Sequence, residues 1–205
     1  LVTEQTAAER AQIKSHSILS RAAIPARFTD RRLSTYQPTC PEAAKALQIA
    51  QQYADTFKQA METGRSLIFT GNVGAGKTHL AVGIAHEVME QGFTALFTSV
   101  MGAVRSVKET YGRRDLTESQ AIARLVEPDL LILDEVGVQF ESNTERLYLF
   151  EILNGRYENM RPTIVISNLT TAGIKECLGQ RAFDRLREGD GRAVSFAWES
   201  YRGRR

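Results

Sequence analysis

The stretch SLIFTGNVGAGKTHL, residues 66–80, joins an apolar run to a glycine-rich segment that contains a lysine and a threonine. Residues 71–78 match the complete G-x-x-x-x-G-K-[ST] pattern, between a predicted strand and a predicted helix. Glycines let the backbone curl so that successive N–H groups face a polyphosphate, and the positive end of the following helix faces the same anion. The sequence therefore predicts a loop that binds the phosphates of a nucleotide. Its expected ligand contacts are Gly71, Asn72, Val73, Gly74, Ala75, Gly76, Lys77, Thr78 and His79.

Two side chains of this loop have distinct expected roles. Lys77 should reach the β- and γ-phosphates, and the hydroxyl of Thr78 should bind Mg²⁺. Kinases and ATPases share such a loop, so the loop alone does not decide the reaction. A kinase would also need an acceptor pocket or lid, and no segment of the sequence indicates one.

Polar residues at two predicted strand ends favour an ATPase. Asp134 and Glu135 close the apolar run LLILDE, where Asp134 fits a Walker-B role toward Mg²⁺ and Glu135 fits orientation or deprotonation of a water. Asn168 closes the run TIVISN. Because the ends of neighbouring parallel strands meet at one edge of a sheet, Asn168 is expected to contact both the water and the γ-phosphate. Ordinary solvation of a strand end is the alternative for Asp134 and Glu135, and capping of the strand is the alternative for Asn168.

Short apolar runs alternate with amphipathic segments over most of the chain. Strands are predicted at 66–70, 94–100, 129–135, 162–168 and 193–198. Helices are predicted at 77–90, 101–111, 117–126, 143–159 and 172–188. This alternation predicts an α/β fold, a three-layer α-β-α sandwich of the P-loop NTPase type with a mainly five-stranded parallel sheet.

The first 40 residues differ from this pattern. A polar helix is predicted at 4–20, followed by an extended connector with three prolines, and one long helix from Pro41 to the residue before Gly64. We therefore divide the chain into an N-terminal helix and linker, 1–40, and a nucleotide-binding core, 41–205.

Composition and charge limit the other classes of protein to which the chain could belong. The chain has 205 residues, 42% hydrophobic, and a net charge of only +2, so any nucleic-acid contact must use a local basic surface. Cys40 and Cys177 lack the spacing of metal ligands, and neither a secretory segment nor a membrane-spanning run is present. These features favour a cytoplasmic protein without a membrane partner.

Two arginines of the run LGQRAFDRLREGDG share one face of a predicted helix. Arg181 and Arg185 are four residues apart, and Arg187 points elsewhere. A guanidinium held there is expected to complete the active site of a neighbouring subunit as an arginine finger. Solvated charge on a helix surface is the alternative.

In order and spacing, five segments resemble the DnaC-type helicase loaders and the related IstB-like transposition ATPases of the AAA+ class. These segments are GNVGAGKTHL, LLILDEVGVQFES, TIVISN, LGQRAFDRLR and FAWESYRGRR. The resemblance runs from about residue 10 to the end and points to the DnaC branch through DEVGVQ, DRLR and ESYR. It implies an ATP- and Mg²⁺-dependent switch that assembles into a spiral or ring-like oligomer on single-stranded DNA, with a reduced or absent lid domain. IstB-like binding of duplex DNA and a transposase is the nearest alternative.

The resemblance also implies further residue roles. Arg185 becomes the first arginine-finger candidate and Arg181 the second. Arg202 is expected to contact the nucleotide as a sensor-II-like residue, and Ile24 and Phe28 of the linker to flank the adenine. The family carries a module that binds a DnaB-type replicative helicase before this linker, and we expect that module to be missing from a chain that opens on Leu1.

A local basic surface is predicted between the second strand and the Walker-B segment. Arg105, Lys108 and Tyr111 follow one another at intervals of three, so a helix would present two cations and an aromatic ring on one face. Cations for phosphates and a ring for base stacking suit single-stranded DNA. The resemblance adds Ser142, in the loop after Walker B, to this predicted DNA surface. A solvated helix with its tyrosine packed on the core is the alternative.

Overall fold

Five parallel strands form one sheet in the computed structural model of the chain, which describes residues 22–113, 115–137 and 142–201. The strands are β1 Leu67–Gly71, β2 Ala95–Ser99, β3 Leu130–Asp134, β4 Thr163–Ile166 and β5 Arg192–Phe196. Their order across the sheet is β2-β3-β4-β1-β5. Every neighbouring pair is parallel, so the carboxyl ends of all five strands lie at one edge. The predicted fold class is confirmed.

Eight α-helices of the described residues cover the two faces of the sheet. They are α1 Pro41–Asp55, α2 Phe57–Thr63, α3 Lys77–Glu90, α4 Val100–Lys108, α5 Glu118–Val126, α6 Asn143–Glu158, α7 Thr171–Leu178 and α8 Gln180–Arg187. The predicted helix at 4–20 and the predicted ligand Arg202 lie outside the described residues. Within those residues, no helix combines the length and the apolar character needed to cross a membrane.

Alternate side chains of each strand divide the core between the two faces. Leu67 and Phe69 pack with α1, α2 and α3, whereas Ile68 packs with the five later helices. The side chains on both faces are almost fully buried, because a parallel sheet with helices on both sides has no solvent-exposed face. This arrangement explains why the strands read as continuous apolar runs in the sequence.

Two predicted helices are wrong in their continuity. The helix expected from Pro41 to the residue before Gly64 is two helices, because Thr56 interrupts it. The hydroxyl of Thr56 donates to the Gln52 carbonyl at 2.7 Å and accepts from Arg65 at 2.6 Å, and such local bonds compete with helix hydrogen bonds. The helix expected at 172–188 breaks at Gly179, whose φ of 80° and ψ of 153° suit glycine only.

The predicted helix at 101–111 is also shorter than expected. Helix α4 ends at Lys108, and Tyr111 lies in the turn that follows, with its N–H donating to the Lys108 carbonyl at 3.0 Å. The expected helical face shared by Arg105, Lys108 and Tyr111 is therefore wrong, because only Arg105 and Lys108 lie in α4.

The connector before α1 is not extended throughout. It forms two 3₁₀ turns, Ala26–Phe28 and Leu33–Thr35, and Leu33 is buried against α3. A Cβ added at Gly83 of α3 would lie 2.7 Å from a Leu33 methyl carbon, so the glycine lets the connector approach closely. The connector thus packs along the helix that begins at the phosphate loop. The division of the chain at residue 40 remains a prediction.

One buried arginine holds together the edge of the sheet where the strands begin. Arg156 of α6 is fully buried and donates to Thr163 Oγ1 and to five backbone carbonyls. The carbonyls belong to Leu125, Val126, Pro128, Asp129 and Pro162. A buried guanidinium requires such a full set of acceptors, and here they tie α5 and the starts of β3 and β4 together.

Candidate nucleotide-binding site

The phosphate loop curls at the carboxyl end of β1, as the sequence predicts. Gly71 has a φ of 111°, and a Cβ there would lie 2.5 Å from the Phe196 carbonyl oxygen. Gly76 has a φ of 97° and precedes the first residue of α3. A Cβ at Gly76 would lie 2.6 Å from the ring of Tyr36. Both positions require glycine for conformation and for space.

Lys77 lies inside this curl. Its Nζ donates to the carbonyls of Gly71 and Asn72, each at 2.7 Å, and to Asn168 Oδ1 at 2.9 Å. Burial lowers the pKa of Lys77 to about 8, and the nearby Asp134 opposes that shift. A polyphosphate would stabilise the charged ammonium, so ligand binding and protonation of Lys77 favour each other. Asn168 is brought to this site, as the sequence predicts.

Thr78 and Asp134 form the candidate Mg²⁺ site. Thr78 Oγ1 donates to Asp134 Oδ2 at 3.2 Å, across the gap between α3 and β3. Burial raises the pKa of Asp134, and hydrogen bonds from the Glu135 N–H and Thr78 oppose that shift. A hydroxyl and a carboxylate are the hard oxygen ligands that Mg²⁺ prefers, and the cation would favour the ionised carboxylate.

Glu135 has an unusual backbone conformation at the end of β3. Its φ is 61°, in the left-handed region that non-glycine residues seldom adopt, and its N–H donates to Asp134 Oδ1 at 2.7 Å. The side chain is exposed at the carboxyl edge of the sheet. Strained backbone conformations are common at functional sites, and here the conformation places the Glu135 carboxylate beside the candidate metal ligand Asp134.

The linker covers the first turn of α3. His79 Nε2 lies 2.9 Å from the Arg32 carbonyl and 3.2 Å from Thr35 Oγ1, and burial lowers the pKa of its imidazole. Ile24 and Phe28 are half-buried against the part of the core that α3 shares with α1 and α2. The linker therefore packs against the helix that begins at the phosphate loop. The adenine contacts of Ile24, Phe28 and His79 stay predictions.

Residues far away in sequence complete the rim of the phosphate loop. The indole N–H of Trp198 donates to the Ala75 carbonyl at 3.0 Å, and the Tyr36 hydroxyl donates to the same oxygen at 3.4 Å. The N–H of Tyr201 donates to the Gly74 carbonyl at 3.1 Å. The Asn72 amide donates to the carbonyls of residues 197 and 198. Sequence reasoning missed these contacts, whose one visible signal was the single tryptophan at the end of the last predicted strand.

The two candidate finger arginines differ in their surroundings. Arg181 is exposed. Arg185 is half-buried, with its guanidinium carbon 4.8 Å from the centre of the Tyr157 ring and a hydrogen bond to Asn154 Oδ1. The Tyr157 hydroxyl in turn donates to Glu188 at 2.6 Å. Arg185 is therefore held against α6 of its own chain.

Arg185 also lies at the opposite edge of the sheet from the phosphate loop. Arg185 lines a small cavity together with Ser66, directly before β1, and Thr163, the first residue of β4. The loop follows the other end of β1, which has five residues, and so lies about 15 Å away along the strand. This placement prevents Arg185 from reaching the phosphates bound to its own chain.

The predicted DNA surface is only partly an array of exposed cations. Arg105 is exposed, but Lys108 Nζ lies 2.5 Å from Oε1 of Glu145, which is 1% exposed. Ser142 caps α6 by accepting the Glu145 N–H at 3.4 Å. Lys108 therefore ties α4 to the start of α6.

Tyr111 belongs to a hydrogen-bonded chain of side chains. Its hydroxyl contacts that of Tyr148, which donates to Glu118 Oε2 at 2.8 Å. The residue is nevertheless 59% exposed. The ring of Tyr111 is thus fixed at one end and accessible, which suits stacking better than a mobile side chain would.

A sheet of this order, with a phosphate loop after β1 and an Asp–Glu pair at the end of β3, defines a P-loop nucleotide-binding protein. A family profile described as IstB-like ATP binding protein matches residues 1–205. The replicative helicase loader DnaC of Escherichia coli strain K12 is 32% identical over 196 residues, which cover 96% of this chain and 79% of that protein. The chain therefore belongs to the family of IstB-like and DnaC-type ATP-binding proteins, as the sequence predicts.

Solved structures agree on the fold. A crystal structure of the DnaC helicase loader superposes with a TM-score of 0.74 at 23% identity, and covers 83% of this chain and 99% of that chain. A replication initiator DnaA bound to AMPPCP and single-stranded DNA superposes with a TM-score of 0.70 at 17% identity, and covers 86% of this chain and 52% of that chain. At these identities the likeness concerns the fold alone.

Proposed function

We propose that this chain is the ATPase core of a replicative helicase loader. The observation that carries the proposal is the match over nearly the whole chain to loaders named DnaC. The site adds two contacts of the phosphate loop, one from Lys77 to Asn168 and one from Thr78 to Asp134. ATP and single-stranded DNA together would stabilise an oligomer that holds a DnaB-type helicase, and hydrolysis would reset it. The protein would thus act as a switch.

The chemistry proposed for the site is ATP hydrolysis. Lys77 would leave its carbonyl partners for the β- and γ-phosphates, while Thr78 and Asp134 would hold Mg²⁺, which supplies charge neutralisation of the phosphates. Glu135 would orient or deprotonate the attacking water. Asn168, already bonded to Lys77, would contact the same water and the γ-phosphate.

Loading itself tests the function. We expect the protein to deposit a DnaB-type replicative helicase on circular single-stranded DNA, with ATP required for the reset. The measurement is helicase bound to circles after gel filtration. Preference for duplex DNA, together with binding of a transposase and no helicase capture, would favour the IstB-like alternative that the family profile keeps open.

The predicted DNA surface has a separate test. Arg105→Gln removes one exposed cation and should weaken binding of a single-stranded oligonucleotide while lowering the slope of log K against log salt by about 1. Tyr111→Ala removes a stacking ring and should weaken binding roughly 5- to 100-fold with the salt slope unchanged. Fluorescence anisotropy at several salt concentrations measures both quantities.

Two matched variants control this experiment. Tyr111→Phe keeps the ring and loses only the hydroxyl bonded to Tyr148, so it should bind almost as the unchanged chain does. Lys58→Gln removes an exposed charge from α2, on the other face of the sheet. Lys108 is a poor choice for a variant because its removal would leave the buried Glu145 carboxylate without this partner. Equal affinity in Arg105→Gln, Tyr111→Ala and the controls would place the DNA elsewhere.

A further inference from the structure

The carbonyl groups of the phosphate loop have two kinds of hydrogen-bond donor. Those of Gly71 and Asn72 accept from Lys77, a side chain of the loop itself. That of Ala75 accepts from Trp198 and Tyr36, which lie 123 and 39 residues away in sequence. These two kinds of donor should behave differently when a nucleotide binds. Lys77 must leave the Gly71 and Asn72 carbonyls to reach a phosphate, whereas Trp198 and Tyr36 can keep their hydrogen bonds to the Ala75 carbonyl.

The Ala75 carbonyl and the N–H of Gly76 belong to the same peptide unit. In a trans peptide the C=O and the following N–H point in opposite directions across a rigid plane. Because Trp198 and Tyr36 hold the Ala75 oxygen, the N–H of Gly76 is directed away from these two side chains. That N–H directly precedes α3, where a helix N-terminus offers amides to an anion.

The donors to this carbonyl are themselves fixed. The Trp198 ring lies 4.8 Å from the ring of Phe196, which lies 5.1 Å from that of Phe69 in the core. Tyr36 packs edge-on against His79 at 5.2 Å. Burial raises the pKa of Tyr36 to about 12, so its hydroxyl keeps the donating proton at neutral pH. Ala75 is only 3% exposed, so water is a poor substitute for either donor.

We propose that Trp198 and Tyr36 are positioning residues of the nucleotide site, which act through the Ala75 carbonyl to aim the Gly76 N–H at the phosphates. The inference rests on the proposed binding of ATP at this loop. It assigns the segment after β5 and the linker before α1 a shared role in phosphate binding, in addition to their packing.

Calorimetric titration with Mg²⁺ and AMPPCP tests this role. Trp198→Phe keeps an aromatic ring but removes the N–H, and we expect the dissociation constant to rise about tenfold. Tyr36→Phe removes the longer of the two bonds and should raise it about threefold. Tyr53→Phe is the matched control, because it breaks the hydrogen bond of 2.8 Å from the buried Tyr53 to the Arg65 carbonyl without touching the loop. This control should lower the melting temperature and leave the dissociation constant unchanged.

The outcomes separate the inference from the function on which it rests. If the unchanged chain fails to bind AMPPCP, ATP binding at the loop is itself wrong. If the unchanged chain binds and both Trp198→Phe and Tyr36→Phe bind equally well, the positioning role is wrong. A loss of affinity in Tyr53→Phe equal to that in Trp198→Phe would also overturn it, because general destabilisation would then explain both. Should Trp198→Phe not fold, Tyr36→Phe decides the question alone.

Discussion

Lys77→Ala should weaken ATP binding by about 100-fold or more, whereas Glu135→Gln should bind ATP normally and hydrolyse it about 100-fold more slowly. Lys77 supplies the buried cation within the phosphate loop, where charge-assisted hydrogen bonds to phosphate are strong. Glu135 is exposed at the end of β3, beside the candidate metal ligand Asp134. The two variants therefore remove different steps, one the binding of the nucleotide and the other the activation of water.

Binding and turnover must be measured separately to see this difference. Calorimetry with Mg²⁺ and AMPPCP gives affinity, and phosphate release at saturating ATP gives the hydrolysis rate. Lys58→Ala, which removes an exposed lysine from α2, controls for loss of positive charge and should change neither. Equal loss of affinity in Lys77→Ala and Glu135→Gln would contradict the roles assigned to both residues.

The fold was predictable because its signals are local. A complete phosphate-loop pattern between a strand and a helix, and apolar runs alternating with amphipathic segments, specify a parallel α/β sheet without any knowledge of distant contacts. The proximity of Lys77 to Asn168 and of Thr78 to Asp134 could also be predicted from the sequence, because the ends of parallel strands share one edge. These contacts follow from topology once the strands are known.

Other features depend on contacts between distant segments and left little trace in the sequence. The spacing of Lys108 indicates a cation, but its pairing with the buried Glu145 depends on how α4 packs against α6. The bond of Trp198 to Ala75 depends on the parallel pairing of β5 with β1. The helix break at Thr56 was missed for a similar reason, since Thr56 is stabilised outside the helix by Arg65, a contact that propensity does not include.

Arg185→Ala should leave the ATP affinity of the isolated chain nearly intact while it lowers DNA-stimulated hydrolysis at least about 100-fold. The residue lies at the amino edge of the sheet, near the starts of β1 and β4, and the phosphate loop lies at the carboxyl edge. A role in hydrolysis thus requires that a neighbouring subunit bring its own nucleotide to Arg185. The guanidinium would then exchange its contacts with Tyr157 and Asn154 for a γ-phosphate. Arg187→Ala, an exposed charge on the same helix, should keep the normal rate.

Mixing two inactive variants separates this role from a structural one. Arg185→Ala retains an intact Glu135, and Glu135→Gln retains an intact Arg185, so a mixed interface can pair a working finger with a working site. Phosphate release in the presence of single-stranded DNA should therefore rise in the mixture above that of either variant alone, to a maximum near equal amounts. Subunit exchange is verified by energy transfer between labelled chains. If the mixture exchanges subunits and stays as inactive as its components, action across the interface is excluded, and the stacking of Arg185 on Tyr157 serves the stability of α8 instead.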